Sequence, residues 1–195
     1  MGRTRSFDVD EALSQAMEVF WQRGFEATSM QMLCQAMDLQ PGSVYAAFGS
    51  KWDLFVAAVR TYMVSVSAES IERINSAPSG VQGLRDYFDS LVDAMVDGRR
   101  RWGCLVTNSL VELTDRHPEL SGVFDQHLGN LRTSFAGALT RARVAGELRP
   151  GVGAESAALL VAVVQGMNVM AKTHPGRNVL QAVADQALAG LVRTR

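Results

Sequence analysis

Two cysteines and three histidines are the first candidates for chemistry in this 195-residue chain. Cys34 and Cys104 lie far apart, and His117, His127 and His174 are scattered. No CxxC pair or ligand-spaced histidine accompanies either cysteine, so structural zinc is not expected. The strings that mark a catalytic serine, a zinc-protease helix, a dinucleotide fold or a phosphate loop are missing. So are the paired ExxH motifs of a carboxylate metal site in a bundle. The chain reads as having no enzyme activity, metal or cofactor. Cys104 stands out for another reason: it follows Arg99-Arg100-Arg101-Trp102-Gly103 and opens a helical pattern. Positive charge and helix-end N–H groups both favour a thiolate, which could add to an electrophile or be oxidised to a sulfenic acid. The plainer alternative is a small buried hydrophobe with its arginines in water.

Helices must position these groups, because the apolar periodicity is helical almost throughout. Leu13, Ala16, Met17 and Phe20 form the stripe of a first helix, with Asp8 or Asp10 at its start and Gly24 at its end. Thr28 is placed as the N-cap of a second helix carrying Met30, Leu33 and Met37. Asp38 marks a turn, and Pro41 opens a third, short helix. Ser50 and Asp53 start a fourth that runs on to about Ile74. Further helical patterns cover about 81–97, 103–115, 119–145, 154–172 and 177–192, separated by Pro and Gly breakers. The expected fold is all-α with about nine helices, a 1–50 domain followed by a 51–195 domain.

Hydrophobic residues make up 47% and charged residues 20%, enough to bury a core, and the formal charge is −1. That excludes a chain coated in basic residues but not a local nucleic-acid patch. The longest unbroken apolar run, 157–164, falls well short of the roughly 20 residues that span a bilayer. The first eight residues lack the apolar segment of a secretory signal. No membrane partner and a reduced, cytoplasmic setting are expected.

Residues 28–48 have the helix, tight turn, helix layout of a DNA-binding helix-turn-helix. The strings Gly24-Phe25-Glu26-Ala27-Thr28-Ser29-Met30, Leu39-Gln40-Pro41-Gly42-Ser43-Val44-Tyr45-Ala46-Ala47-Phe48, Ser50-Lys51 and Leu54-Phe55 closely resemble the DNA-binding domain of the TetR family of transcriptional regulators. Gly146-Glu147-Leu148-Arg149-Pro150 also looks like that family. Two departures are Asp38, where members usually carry Gly, and a second reading helix without Lys or Arg. The resemblance implies a homodimer that binds double-stranded operator DNA, an inverted repeat, and is released by a small-molecule effector. The alternative is a helical ligand-binding or scaffold protein that has lost DNA binding.

Carried onto this chain, the resemblance assigns Gly42 to close approach, Thr28, Tyr45 and Lys51 to phosphates, and Gln40 and Ser43 to base edges. Arg3 and Arg5 are candidates for an arm on the DNA. Cys34 reads as core. One objection is charge: residues 1–60 hold Arg3, Arg5, Arg23, Lys51 and Arg60 against Asp8, Asp10, Glu11, Glu18, Glu26, Asp38 and Asp53. Several of these acids must then lie in the first turn of helix 1 or cap helix 4, away from the reading face.

In the second domain, an effector pocket is expected among Phe88, Trp102, Cys104, Asn108, Phe124 and Met167, with His127 or Gln165 as further polar groups. The Gly-Cys-x-x-x-Asn-x-x-x-Glu string from Gly103 is similar to one in electrophile-sensing relatives such as the repressor of N-ethylmaleimide reductase. Leu160, Val164, Val183 and Ala187, on the last two helices, are expected to pair with a second copy. The long helix opening at Ser50 joins the two domains and is the expected lever between them.

Overall fold

A computed structural model of the chain describes residues 7–113 and 115–193. Arg3 and Arg5 lie outside the described residues. Among those described, the fold is all-α: α1 (Val9–Arg23), α2 (Met30–Ala36), α3 (Pro41–Phe48), α4 (Lys51–Tyr62), α5 (Ala68–Ser76), α6 (Gly80–Val96), α7 (Leu105–Leu113), α8 (Ser121–Val144), α9 (Ala157–Ala171) and α10 (Arg177–Ala189). A π-helical turn, Met63–Ser67, links α4 to α5, so the two form one 26-residue rod. Counted that way, the described residues hold the nine α-helices expected.

Local chemistry explains the boundaries. The Asp8 carboxylate accepts from the Asp10 and Glu11 amides and opens α1. Gly24 closes it at φ +82°, a left-handed value that an L side chain resists. Ser50 and Asp53 form a complete capping box at α4. The Ser50 hydroxyl and then its amide hold the Asp53 carboxyl below its ordinary range. Asp38 takes the turn between α2 and α3 at φ +50°.

The cap of α2 is not Thr28. Ser29 takes that position and accepts from the Met32 amide at 3.2 Å. Thr28 sits one residue earlier, buried, and its hydroxyl donates to Gly24 O at 2.6 Å.

Two apolar clusters fill the molecule. The first joins Phe20, Trp21, Leu33 and Val44 to Leu54, Phe55 and Tyr62 of α4, and extends to Cys104, Leu105, Leu113 and Phe124. The second joins Ile74, Phe88, Phe135, Leu160, Val164 and Met167. The rod therefore contributes to both cores and carries the chain from one to the other.

Two stretches, Lys51–Ser76 and Ala154–Ala171, are long and apolar enough to cross a membrane, which unbroken apolar runs alone did not reveal. Their largest apolar side chains, among them Leu54, Phe55, Leu160 and Met167, are instead spent inside the two cores.

The α9 stripe also departs from expectation. Leu160 and Val164 are buried within the same chain, so they offer no surface to a second copy. The outward stripe of α9 is one position over: Leu159, Ala162, Gly166 and Val169. Val183 and Ala187 of α10 are half-buried against the second core.

Candidate DNA-reading face and sensor cavity

On α3 only Val44 is fully buried, anchoring the helix to the first core. Gln40, Gly42, Ser43 and Tyr45 all face solvent, with Tyr45 51% exposed. A Cβ at Gly42 would meet nothing within 4 Å, so glycine there is not required by the chain's own packing. Lys51, the first residue of α4, lays its ammonium over the Phe25 ring, 4.3 Å from the centroid. Several acids of this region lie at helix starts, as the charge objection required, whereas Glu18 is inside α1 and Asp38 is exposed in the α2–α3 turn. Asp8, Asp10 and Glu11 sit at the start of α1 and Asp53 in the capping box, while Glu26 pairs with Arg116 at 2.8 Å.

Cys104 precedes α7, and its carbonyl accepts the first hydrogen bond of that helix, from the Asn108 amide. The thiol is buried, and its Sγ lies 3.7 Å from His127 Nε2. Burial pushes this thiol up. The His127 ring, by hydrogen bond and by charge, the Arg100 guanidinium and the Tyr62 hydroxyl outweigh it and bring the thiol down to about 6. Of the arginine run, Arg100 turns inward and is 7% exposed, whereas Arg101 lies over the Trp102 ring. The sulfur therefore sits in a cationic, hydrogen-bonding setting that favours a thiolate near neutral pH.

Two connections tie this turn to the N-terminal helices. Trp21 of α1 donates its indole N–H to Gly103 O at 3.0 Å. Gly103 needs its φ of +82° and its missing Cβ, which would fall 2.6 Å from Asn168 O. At the far end of α7, the Glu112 carboxylate accepts from the Phe25 amide at 3.1 Å and the Glu26 amide at 2.8 Å. Between them, Asn108 donates to Trp102 O at 2.9 Å. Beyond α7, the His117 ring stacks on Trp52 at 3.8 Å.

Two family models match this chain. One, described as bacterial regulatory proteins of the tetR family, covers residues 12–58, and one described as a tetracyclin repressor-like C-terminal domain covers 80–187. The chain belongs to the TetR family. It is a helix-turn-helix, DNA-binding transcriptional regulator. The uncharacterized HTH-type transcriptional regulator YezE of Bacillus subtilis (strain 168) is 36% identical over 148 residues, 76% of each chain. The HTH-type transcriptional repressor ComR of Escherichia coli (strain K12) is 26% identical over 96% of this chain and 90% of its own. Among solved structures, a cysteine mutant of the TetR regulator CifR, complexed with 26bp double-strand operator DNA, superposes with a TM-score of 0.85. It is 31% identical and the match covers 97% of this chain and all of that one.

Within this TetR fold, the six residues expected to form an effector pocket do not converge. Phe88 and Met167 are fully buried in the second core, where the Phe88 ring stacks on Phe135. Phe124 belongs to the first core. Trp102 packs edge-on to Trp21, and Asn108 is occupied by Trp102 O and, at 3.4 Å, by Lys172. Cys104 lines a small cavity, with Ser67, Arg100, His127, Gln165 and Asn168 among its neighbours there, while Phe88 lines a separate cleft beside Gln181 and Leu188. The sequence names His127 and Gln165 as pocket groups and Arg100 only as charge near Cys104, and it carries no sign of Ser67. The Arg99-Arg100-Arg101 run reads as positive charge favouring a Cys104 thiolate, and the structure assigns that part to Arg100.

Proposed function

We propose that this regulator is a homodimeric, cytoplasmic repressor rather than an enzyme. In this reading it holds an inverted-repeat operator through α3, and electrophile chemistry at Cys104 releases it. One observation carries the regulatory half: a single turn, Gly103-Cys104, holds the sensor thiol and is strapped to the DNA-binding helices from both ends of α7. The likeness to CifR, a cysteine mutant of which is complexed with operator DNA, supports the DNA-binding half.

The chemistry at Cys104 balances without a further reagent. The thiolate sulfur adds to the β-carbon of an alkene conjugated to a carbonyl, forming a C–S bond. The alkene π pair moves to the carbonyl oxygen as an enolate, and the α-carbon then takes up the proton that the thiol gave up. An adduct at a site with 1% exposure cannot be accommodated in place. It displaces the Gly103 turn, and with it the Trp21 bond and the start of α7. The shift passes through Glu112 to the α1–α2 turn, beside the lever that the long rod provides. Release follows to the extent that the adduct favours the displaced geometry.

On the DNA, Gln40 and Ser43 read base edges from the open end of α3, and Tyr45 and Lys51 contact phosphates. Gly42 permits close approach. Ser29, whose hydroxyl proton remains free while its oxygen caps α2, replaces Thr28, whose hydroxyl is committed to Gly24. Two copies meet through the outward stripe of Leu159, Ala162, Gly166 and Val169 with Val183 and Ala187, placing the two α3 helices about 34–36 Å apart.

The test of the reading face is operator binding by fluorescence anisotropy, using the inverted repeat upstream of the chain's own gene. Lys51→Ala is expected to weaken every sequence evenly and lower the salt slope by about 1. Gln40→Ala is expected to relax preference at particular bases only. Unchanged affinity and salt dependence in Lys51→Ala would place the phosphate contacts elsewhere.

A further inference from the structure

The guanidinium of Arg100 is the least explained charge in the fold. It is 7% exposed, and its charged or ionisable neighbours are Tyr62, Tyr87 and Cys104. Both phenols are held neutral by burial, which lifts Tyr62 well above its ordinary value and Tyr87 to about 12. The Cys104 sulfur offsets the charge through space, but its hydrogen bond goes to His127. Among the described residues, no carboxylate pairs with Arg100 and no acceptor receives its five N–H donors. A buried charge of this kind is costly unless something completes it.

Other unfinished polar groups gather at the same place. Ser67 Oγ, Gln165 Nε2 and Asn168 Oδ1 are buried without a hydrogen-bond partner. All three residues line the small cavity that Arg100 and Cys104 also line. Ser67 and Asn168 are more than nine-tenths buried. Gln165 is oriented by its other end, since its Oε1 accepts from Thr107. Ser67 closes the π-helical turn Met63–Ser67, an irregularity that recurs at functional sites. This inner cavity measures about 10 Å³, room for about one water. Its outer neighbour is larger. A cleft of about 260 Å³ between the rod and α6 is lined by Trp21, Tyr87, Leu91 and Ala94, by the Arg73–Glu69 ion pair, whose carboxylate is neutralised at 2.7 Å, and by Arg100. Ser70, Tyr87 and Arg100 line both spaces, so they adjoin.

We propose that this cleft is a binding site for a small planar organic anion, with its carboxylate seated on Arg100. The inference rests on the reading of the chain as an effector-controlled regulator and supplies the chemical class of a reversible effector. A carboxylate meets the guanidinium fork with two parallel hydrogen bonds. Its second lone pairs face the Ser67 hydroxyl and the Gln165 amide N–H. The cleft walls, Trp21, Tyr87 and Leu91, suit one ring or a short chain, because the volume lies just below the ~300 Å³ at which ligand pockets begin. Trp21 is also the residue that holds Gly103, so a ligand on its ring bears directly on the strap to the Cys104 turn.

The experiment is calorimetric titration of the full-length protein, without DNA, by benzoate, salicylate, phenylacetate and hexanoate, each beside its primary amide. At least one carboxylate is expected to bind saturably, one per chain, and at least tenfold tighter than its amide. Arg100→Gln is expected to lose that binding by tenfold or more. Ala94→Phe, which fills the cleft without touching the charge, is expected to lose it with the helical circular dichroism unchanged. No saturable binding by any of the four, equal binding of acid and amide, or unaltered binding in Ala94→Phe would overturn the site and leave a solvated cavity only. Operator anisotropy with and without the binding carboxylate separates the two claims. Binding that leaves operator affinity unchanged keeps the anion site and rejects its regulatory role.

Discussion

The Glu112 strut is the link most open to measurement. Its two oxygens accept from the Glu26 amide at 2.8 Å and the Phe25 amide at 3.1 Å, both charge-assisted bonds. Such bonds contribute about 1.5–3 kcal/mol each, and partial exposure sets these at the lower end. Glu112→Gln keeps one oxygen as a neutral acceptor of about 1 kcal/mol and turns an N–H toward the other donor. The expected loss is about 2 kcal/mol, or a fall in Tm of about 4–8 °C for a chain of this size. Thermal unfolding followed by circular dichroism measures it, with Arg116→Ala as the contrast. The Arg116–Glu26 pair is more than half exposed on both sides, so its loss is expected to cost about 0–1 kcal/mol. Operator affinity of Glu112→Gln, taken well below its Tm, is expected to fall as the α1–α2 turn loosens. A Tm within 1 °C of the parent, or one equal to that of Arg116→Ala, would refute the strut.

Four further outcomes are expected. Gly24→Ala combines a strained positive φ with a Cβ 2.6 Å from Glu112 Oε2, so it is expected to cost more than Glu112→Gln, and the double variant less than the sum. Alkylation of Cys104 by N-ethylmaleimide is expected to rise with pH with a midpoint near 6 and to shift upward in His127→Asn. Because this thiol is depressed from 9.0 in the fold, its contribution to stability is full above 9, declines as pH falls and is gone below about 6; Cys104→Ser is expected to remove that slope in pH-dependent urea unfolding. Leu159→Glu is expected to give a folded monomer by sedimentation, whereas Leu160→Glu, a charge placed in the core, is expected to unfold the chain.

Most of the fold was legible because its signals are local. Asp8, Gly24, Pro41 and the Ser50–Asp53 box each act within one turn of helix, and each is found where the spacing put it. The miss at Thr28 has the same origin, since two adjacent hydroxyls satisfy the same cap rule and only the helix register chooses Ser29. On α9 the failure was geometric. Small and apolar residues surround much of that helix, so periodicity could not say which stripe faces inward. The exposed face of α3 was legible as a group, because Gly42, Ser43 and Tyr45, with Gln40 at its cap, share one short helix with a single buried anchor. The surroundings of Cys104 were not. Glu112 meets partners 86 and 87 positions away, Trp21 meets Gly103 across 82, and no spacing rule reaches that far. The run of three arginines was legible as charge beside Cys104, but only packing selects Arg100 from it.

The central claim is that chemistry at Cys104 controls DNA binding. It is tested most directly by operator anisotropy of the parent, Cys104→Ser and Cys34→Ser proteins, each before and after treatment with N-ethylmaleimide. The account predicts at least a tenfold loss of affinity in the parent and in Cys34→Ser, and no change in Cys104→Ser. Equal release from all three proteins, or adduct formation at Cys104 that leaves operator affinity intact, would contradict it.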